Sequence, residues 1–190
     1  LWESDIIIEG DLQAQKEIRS MLYHLYSFSR EGIAQSLSPM GLSGLGYNGH
    51  VFWDTEMFMM PPMLMLQPQM ARSMLEYRFE RLEEARKNAA SYGYAGAMFP
   101  WESASTGAED CPVTSLAGTF QHHVTADVAI ACWNYWLATL DREWLETRGW
   151  PVLKATAEFW VSRVERTDDG KYHVYNVMGA DEWAVNKDDD

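Results

Sequence analysis

Of the stretches in this 190-residue chain that set a carboxylate directly beside a tryptophan, three bear most on chemistry: Trp53-Asp54, Trp101-Glu102 and Asp181-Glu182-Trp183. An aromatic face packs on the C–H face of a sugar ring, and a neighbouring carboxylate accepts two of its hydroxyls. A glutamate held against an aromatic ring can also have its pKa raised, which suits a general acid. Each stretch has a plainer reading. Trp53 can be core with Asp54 capping a helix, a reading of about equal weight on residue types alone. Trp101-Glu102 can be a packed loop anchor, and Asp181-Glu182 a solvated acidic loop. Asp188 to Asp190 read as solvated charge. The repeated Trp–acid pair, each time in a Gly- or Pro-containing loop, favours sugar binding over these.

The first pair sits in GLSGLGYNGHVFWDTE, residues 41 to 56, with four glycines in nine positions. The stretch lacks the Lys-Ser/Thr of a phosphate-binding loop and follows no parallel strand, so nucleotide binding is disfavoured. His50, Asp54 and Glu56 could ligate a metal, but one histidine beside two acids is a weak ligand set. His123 and Asp127, in HHVTAD, share a helix face at i,i+4 and give only two ligands of the three or four required. His123 is therefore a weak cavity-lining candidate, and no metal is expected.

The elements that must hold these groups are helical. Residues 11–29 read as a helix with Ile18, Leu22, Leu25 and Tyr26 on one face and Asp11 at its start. Residues 30–50 are loop. A second helix begins near Phe52 and meets Pro61-Pro62, which must end or kink it. The strongest pattern spans 68–92, with Leu75, Phe79, Leu82 and Ala89 as the apolar stripe, Glu83 and Lys87 paired outside, and Gly93 as the stop. About twenty residues without periodicity follow, a length of loop that is usually functional. Helices are expected over about 119–139, 141–149 and 151–164, then a turn at Asp168-Asp169-Gly170 and a short strand over 171–177. The sum is an all-α domain with long loops. It shows neither the strand–helix alternation of a doubly wound sheet nor an internal repeat.

Composition narrows the partners. A net charge of −13 argues against nucleic acid, which needs a basic footprint. The longest apolar run, MFMMPPMLML, is ten residues with two prolines and too short to span a bilayer. Two cysteines make neither a disulfide framework nor a zinc site, and Cys132 reads as a buried free thiol. The chain starts without methionine and stops within an acidic run, so it reads as a piece of a longer protein. It carries no signature of a particular oligomeric state.

Taken in order, GYNGHVFWDTE, YRFERLEEARKNAASYGYAGAMFPWES with EDCP, HHVTADVA, AEFWVSR and MGADEW resemble glycoside hydrolase family 65 over most of the chain. That family contains phosphorylases of maltose, kojibiose, nigerose and trehalose. It also contains hydrolases: acid trehalase, kojibiose hydrolase and a glucosidase acting on glucosylgalactosyl-hydroxylysine. The resemblance implies that residues 1–190 form the N-terminal half of an (α/α)6-barrel catalytic domain, six hairpins around a pocket. It implies Glu182 as general acid, and Trp53, Asp54, Trp101 and Glu102 as the groups holding the terminal glucose, with the glycines letting their loop fold close to it. Asp181, beside the acid, is a weaker candidate. No cofactor is implied, only inorganic phosphate as co-substrate in a phosphorylase. The substrate would be a small α-glucoside cleaved with inversion. The family's phosphorylases usually read Gly-Pro-Asp-Glu-Tyr-His at the acid. The Gly179-Ala180-Asp181-Glu182-Trp183-Ala184 found here departs from that and favours hydrolysis. A disaccharide phosphorylase and a catalytically silent sugar-binding domain are the alternatives.

Overall fold

The computed structural model describes residues 4–184 and 187–189; Asp190 of the acidic run lies outside them. The described residues are mostly helical: α1 (Leu12–Ser27), α2 (Met60–Leu66), α3 (Pro68–Glu80), α4 (Leu82–Ser91), α5 (Ala117–Phe120), α6 (His123–Thr139), α7 (Arg142–Trp144) and α8 (Trp150–Arg163). One antiparallel pair, β1 (Glu165–Arg166) and β2 (Tyr172–His173), follows α8. The core lies where α3 packs on α2 and α6, and α6 on α8; Met63, Met74, Leu75, Val128, Tyr135 and Trp144 are fully enclosed there. No helix among them is long and apolar enough to cross a membrane.

Local chemistry accounts for most boundaries. The Asp11 carboxylate accepts the Ala14 N–H at 3.0 Å and starts α1. Tyr94 N–H bonds Ala89 O and Gly93 N–H bonds Ala90 O, with Gly93 at φ +82°, a complete Schellman stop for α4.

Several boundaries differ from the sequence reading. The helix expected over 68–92 breaks at Arg81, whose backbone leaves the helical region (φ −106°, ψ 13°). Its outer ion pairs are Lys87–Glu84 and Arg86–Glu83 at i,i+3, in place of Glu83–Lys87. Pro61-Pro62 do not end a helix but open α2, directly after a π-helical turn, Thr55–Met59. Prolines cost nothing in a first turn, where the missing N–H is an orphan anyway. The helix expected from 119 is split at Gln121-His122. The expected strand over 171–177 narrows to Tyr172–His173, because beyond it the backbone turns to bond Asp188 and Asp189.

Candidate active site

Two loops and one helix start assemble the Trp–acid pairs. The first loop descends through Tyr47, Asn48 and Gly49, all left-handed at φ 56°, 53° and 74°, to His50. Val51 and Ser103 then exchange both backbone hydrogen bonds, at 2.8 and 2.9 Å, which zips this loop to the one bearing Trp101-Glu102. Edge-on aromatic contacts continue the join, Tyr47 on Phe52 and Phe52 on Trp101, with centroids 5.2 and 5.0 Å apart.

Trp53 is half-buried, packed on the core, and meets the His123 ring edge-on at 4.9 Å. His123 opens α6 and its Nδ1 lies 2.8 Å from Asp127 Oδ2. The carboxylate can only accept, so Nδ1 carries the proton; Nε2 is buried and has no hydrogen-bond partner among the described residues. Asp54 precedes the π-helical turn but makes no side-chain cap bond, so the capping role does not claim it. Glu56 is claimed: its two oxygens bond Arg78 Nε and Nη2 at 2.7 and 3.0 Å, both side chains 1% exposed. That buried bidentate pair ties the Trp53-Asp54 turn to α3.

Trp101 is half-buried and Glu102 buried. Glu102 accepts from His50 Nδ1 at 2.7 Å. Behind them the Glu109 carboxylate accepts the backbone N–H groups of Trp101, Glu102 and Cys111 at 2.7, 3.0 and 3.1 Å. Burial pushes the Glu109 carboxyl above its usual range; the three N–H groups oppose this and the nearby Glu102 charge adds to it. The approach to this loop is locked down as well: Ala97 N–H bonds Ala155 O of α8, Met98 N–H bonds Ala85 O of α4, and Phe99 N–H bonds Thr125 Oγ1 of α6.

The segment bearing Glu182 is fastened to the start of α6. Gln121 Nε2 donates to Gly179 O at 2.6 Å, and Met178 N–H to Phe120 O at 3.0 Å. Next door, His122 is wedged between α8 and its own turn. Its Nε2–H donates to Thr119 O and its Nδ1 accepts from Arg163 Nε, each at 3.0 Å, while Arg163 also reaches Tyr175 O. Burial first, then the Arg163 charge, depress its pKa to about 4, only partly offset by the Thr119 bond. Val177 and Lys187 pair as an isolated antiparallel bridge, so Asp181, Glu182 and Trp183 project at the tip of the loop between them. Asp181 Oδ1 accepts the Trp183 N–H at 3.1 Å and so shapes the turn that presents Glu182. Trp183 is 95% exposed and does not cover Glu182, contrary to the sequence expectation; Glu182 is itself exposed. Nor are Asp188 and Asp189 idle charge. Asp188 accepts the Asn176 N–H, and Asp189 accepts the Val174 N–H and His173 Nδ1.

Contacts thus link Trp53-Asp54 to Trp101-Glu102 and to the start of α6, and Gln121 links that start to the Glu182 loop. A cleft of about 410 Å³ beside His50, Tyr77, Arg81 and Ser103 has none of the five sequence-derived site residues in its walls. Among the described residues no group of three or more His, Cys, Asp or Glu could hold a metal ion. By sequence His50 was weighed only as a weak metal ligand, and Glu109 was not singled out at all. Their signal lay in the quoted motif pieces, but their partners are contacts that residue spacing does not reveal.

The profile described as the glycosyl hydrolase family 65 central catalytic domain matches residues 19–190. A kojibiose hydrolase of Flavobacterium johnsoniae is 68% identical over 99% of this chain and 28% of its own length. A kojibiose phosphorylase of Thermoanaerobacter brockii is 44% identical over 99% of this chain and 26% of its own. A solved structure named for a kojibiose phosphorylase from the human microbiome superposes with a TM-score of 0.89 at 28% identity, over 98% of this chain and 28% of that one. The chain therefore spans little more than a quarter of the length of the relatives it matches.

Proposed function

This chain belongs to glycosyl hydrolase family 65, and from that premise we propose that it is the glucose-binding and acid-bearing part of an inverting α-glucosidase. The substrate is an α-linked glucose disaccharide of the kojibiose type or an α-glucosyl cap. The observation that carries this reading is the gap in identity between the kojibiose hydrolase relative and the phosphorylase relative. Residues 1–190 would supply the N-terminal half of an (α/α)6 barrel. The helical elements and the superposition on the phosphorylase-named structure support that reading.

In this reading the terminal glucose lies against Trp53 and Trp101, and Asp54 and Glu102 accept its hydroxyls. Carboxylate acceptors form short, charge-assisted bonds, so two of them fix the ring's height and rotation. Glu182 donates its proton to the glycosidic oxygen as the bond to the anomeric carbon breaks. Water activated by a second carboxylate attacks the opposite face, which requires about 6.5–9.5 Å between the two acids. The chemistry needs no metal or cofactor. Phosphate would replace water only in the phosphorylase alternative, which the Gly179-Ala180-Asp181-Glu182-Trp183 departure and the lower phosphorylase identity disfavour.

The test is Glu182→Gln in the full-length protein, with kojibiose as substrate. Loss of general acid catalysis should lower kcat by about 10³-fold while glucose still binds. Unchanged kcat would remove Glu182 from the mechanism.

A further inference from the structure

The two Trp–acid loops meet at a carboxylate. His50 Nδ1 and Glu102 Oε1 are 2.7 Å apart, 52 residues apart in sequence, with the side chains 22% and 7% exposed. A carboxylate only accepts, so the imidazole donates here, whether it is neutral or charged. Oε2 of Glu102 has no hydrogen-bond partner among the described residues and is left for another donor. Glu109 holds the main chain at the same residue, accepting the Glu102 and Trp101 N–H groups and, farther along the loop, that of Cys111. The backbone of Glu102 is thus fixed by one side chain and its carboxylate rotation by another.

The route of the glycine-rich loop explains how His50 arrives. Tyr47 and Asn48 are not glycines, yet both are left-handed, immediately before Gly49. Such conformations cost non-glycine residues on the order of 1–2 kcal/mol each and persist only where the surroundings impose them. Here the Tyr47 ring rests edge-on against Phe52, and Tyr47 O accepts the His50 N–H at 2.8 Å. The product of this strained course is the placement of one imidazole on one carboxylate.

We propose that His50 is a positioning residue for the glucose subsite: its Nδ1–H holds Glu102 in the rotamer that leaves Oε2 to accept a sugar hydroxyl. The role rests on reading Glu102 as a glucose-binding carboxylate, and the experiment separates the two. In the full-length protein, Glu102→Gln, His50→Leu, His50→Asn and the double variant His50→Leu/Glu102→Gln are compared. KM for kojibiose, kcat and the inhibition constant of free glucose are measured, with thermal melts as the folding control.

His50→Leu should raise KM and the glucose inhibition constant about tenfold, the size of one lost charge-assisted bond. His50→Asn, whose amide nitrogen occupies the place of Nδ1, should restore most of the loss. The double variant should be no worse than Glu102→Gln alone, because His50 acts only through Glu102. Should His50→Leu fail to fold, His50→Ala takes its place. If Glu102→Gln weakens glucose binding while the His50 variants do not, or if the two losses add, His50 is not a positioning residue and the subsite reading stands. If Glu102→Gln itself leaves glucose binding intact, the reading beneath the proposal fails.

Discussion

His122 owes its charge state to burial among four neighbours. Arg163 donates to one ring nitrogen, Thr119 O takes the proton of the other, and Phe159 and Tyr94 meet the ring edge-on. Burial first, and then the positive charge of Arg163, hold the folded pKa at about 4 against 6.5 for an unperturbed imidazole. The depressed value means that the unfolded chain binds the extra proton between those limits. Stability is then fully present above pH 6.5 and lost as pH falls towards 4, by about 3 kcal/mol at most. Urea midpoints measured across that window should fall for the wild type and flatten in His122→Gln; an equal slope in both would contradict the assignment. Residue-scale legibility followed adjacency. The Trp53-Asp54 and Trp101-Glu102 pairs stood out because tryptophan and acid are neighbours in the chain, and the fold joins their loops. Glu56 looked as available as Asp54 until Arg78, twenty-two positions on, proved to consume both its oxygens. His50 with Glu102, and Glu109 with three amides, are pairings that only the folded chain brings about.

At the scale of elements, the loop bearing Trp101-Glu102 behaves as a buried strut. Residues 97 to 100 are enclosed, and their backbone bonds reach α4, α6 and α8. Gly96 makes the approach possible. Its φ is +71°, and a Cβ there would lie 2.2 Å from Ala155 O and 2.3 Å from Phe159 N, both backbone atoms of α8. Gly96→Ala should therefore destabilise the fold by about 3 kcal/mol or more, from the left-handed backbone and the forced separation of loop and helix. A melt within a degree or two of wild type would refute the close approach. Helix starts and stops with side-chain or glycine signals, such as Asp11 and Gly93, were readable from sequence. The π-helical turns at Thr55–Met59 and Leu145–Gly149, and the breaks at Arg81 and Gln121-His122, were not. These features answer to packing between elements. One example is the Glu56–Arg78 pair drawing the first turn onto α3, for which no residue spacing gives warning.

For the whole molecule, the helical frame brings the two Trp–acid loops together and fastens the Glu182 loop to the start of α6 by Gln121 and Phe120. Glu182 stays exposed at its loop tip, with no aromatic cover from Trp183. Were Glu182 the general acid proposed above, its desolvation would have to come from residues other than Trp183. Fold class and family motifs were legible at this scale, because they rest on periodicity and on ordered short patterns. The completeness of the pocket was not, because the chain spans little more than a quarter of its relatives' length. Hydrolysis and phosphorolysis differ in one product, which a single experiment reads. The full-length protein is incubated with kojibiose in phosphate-free buffer and again with phosphate, and glucose and glucose 1-phosphate are quantified. A hydrolase should release two glucose molecules per kojibiose at the same rate in both buffers, with no glucose 1-phosphate. Turnover that appears only with phosphate and yields glucose 1-phosphate would contradict the hydrolase reading.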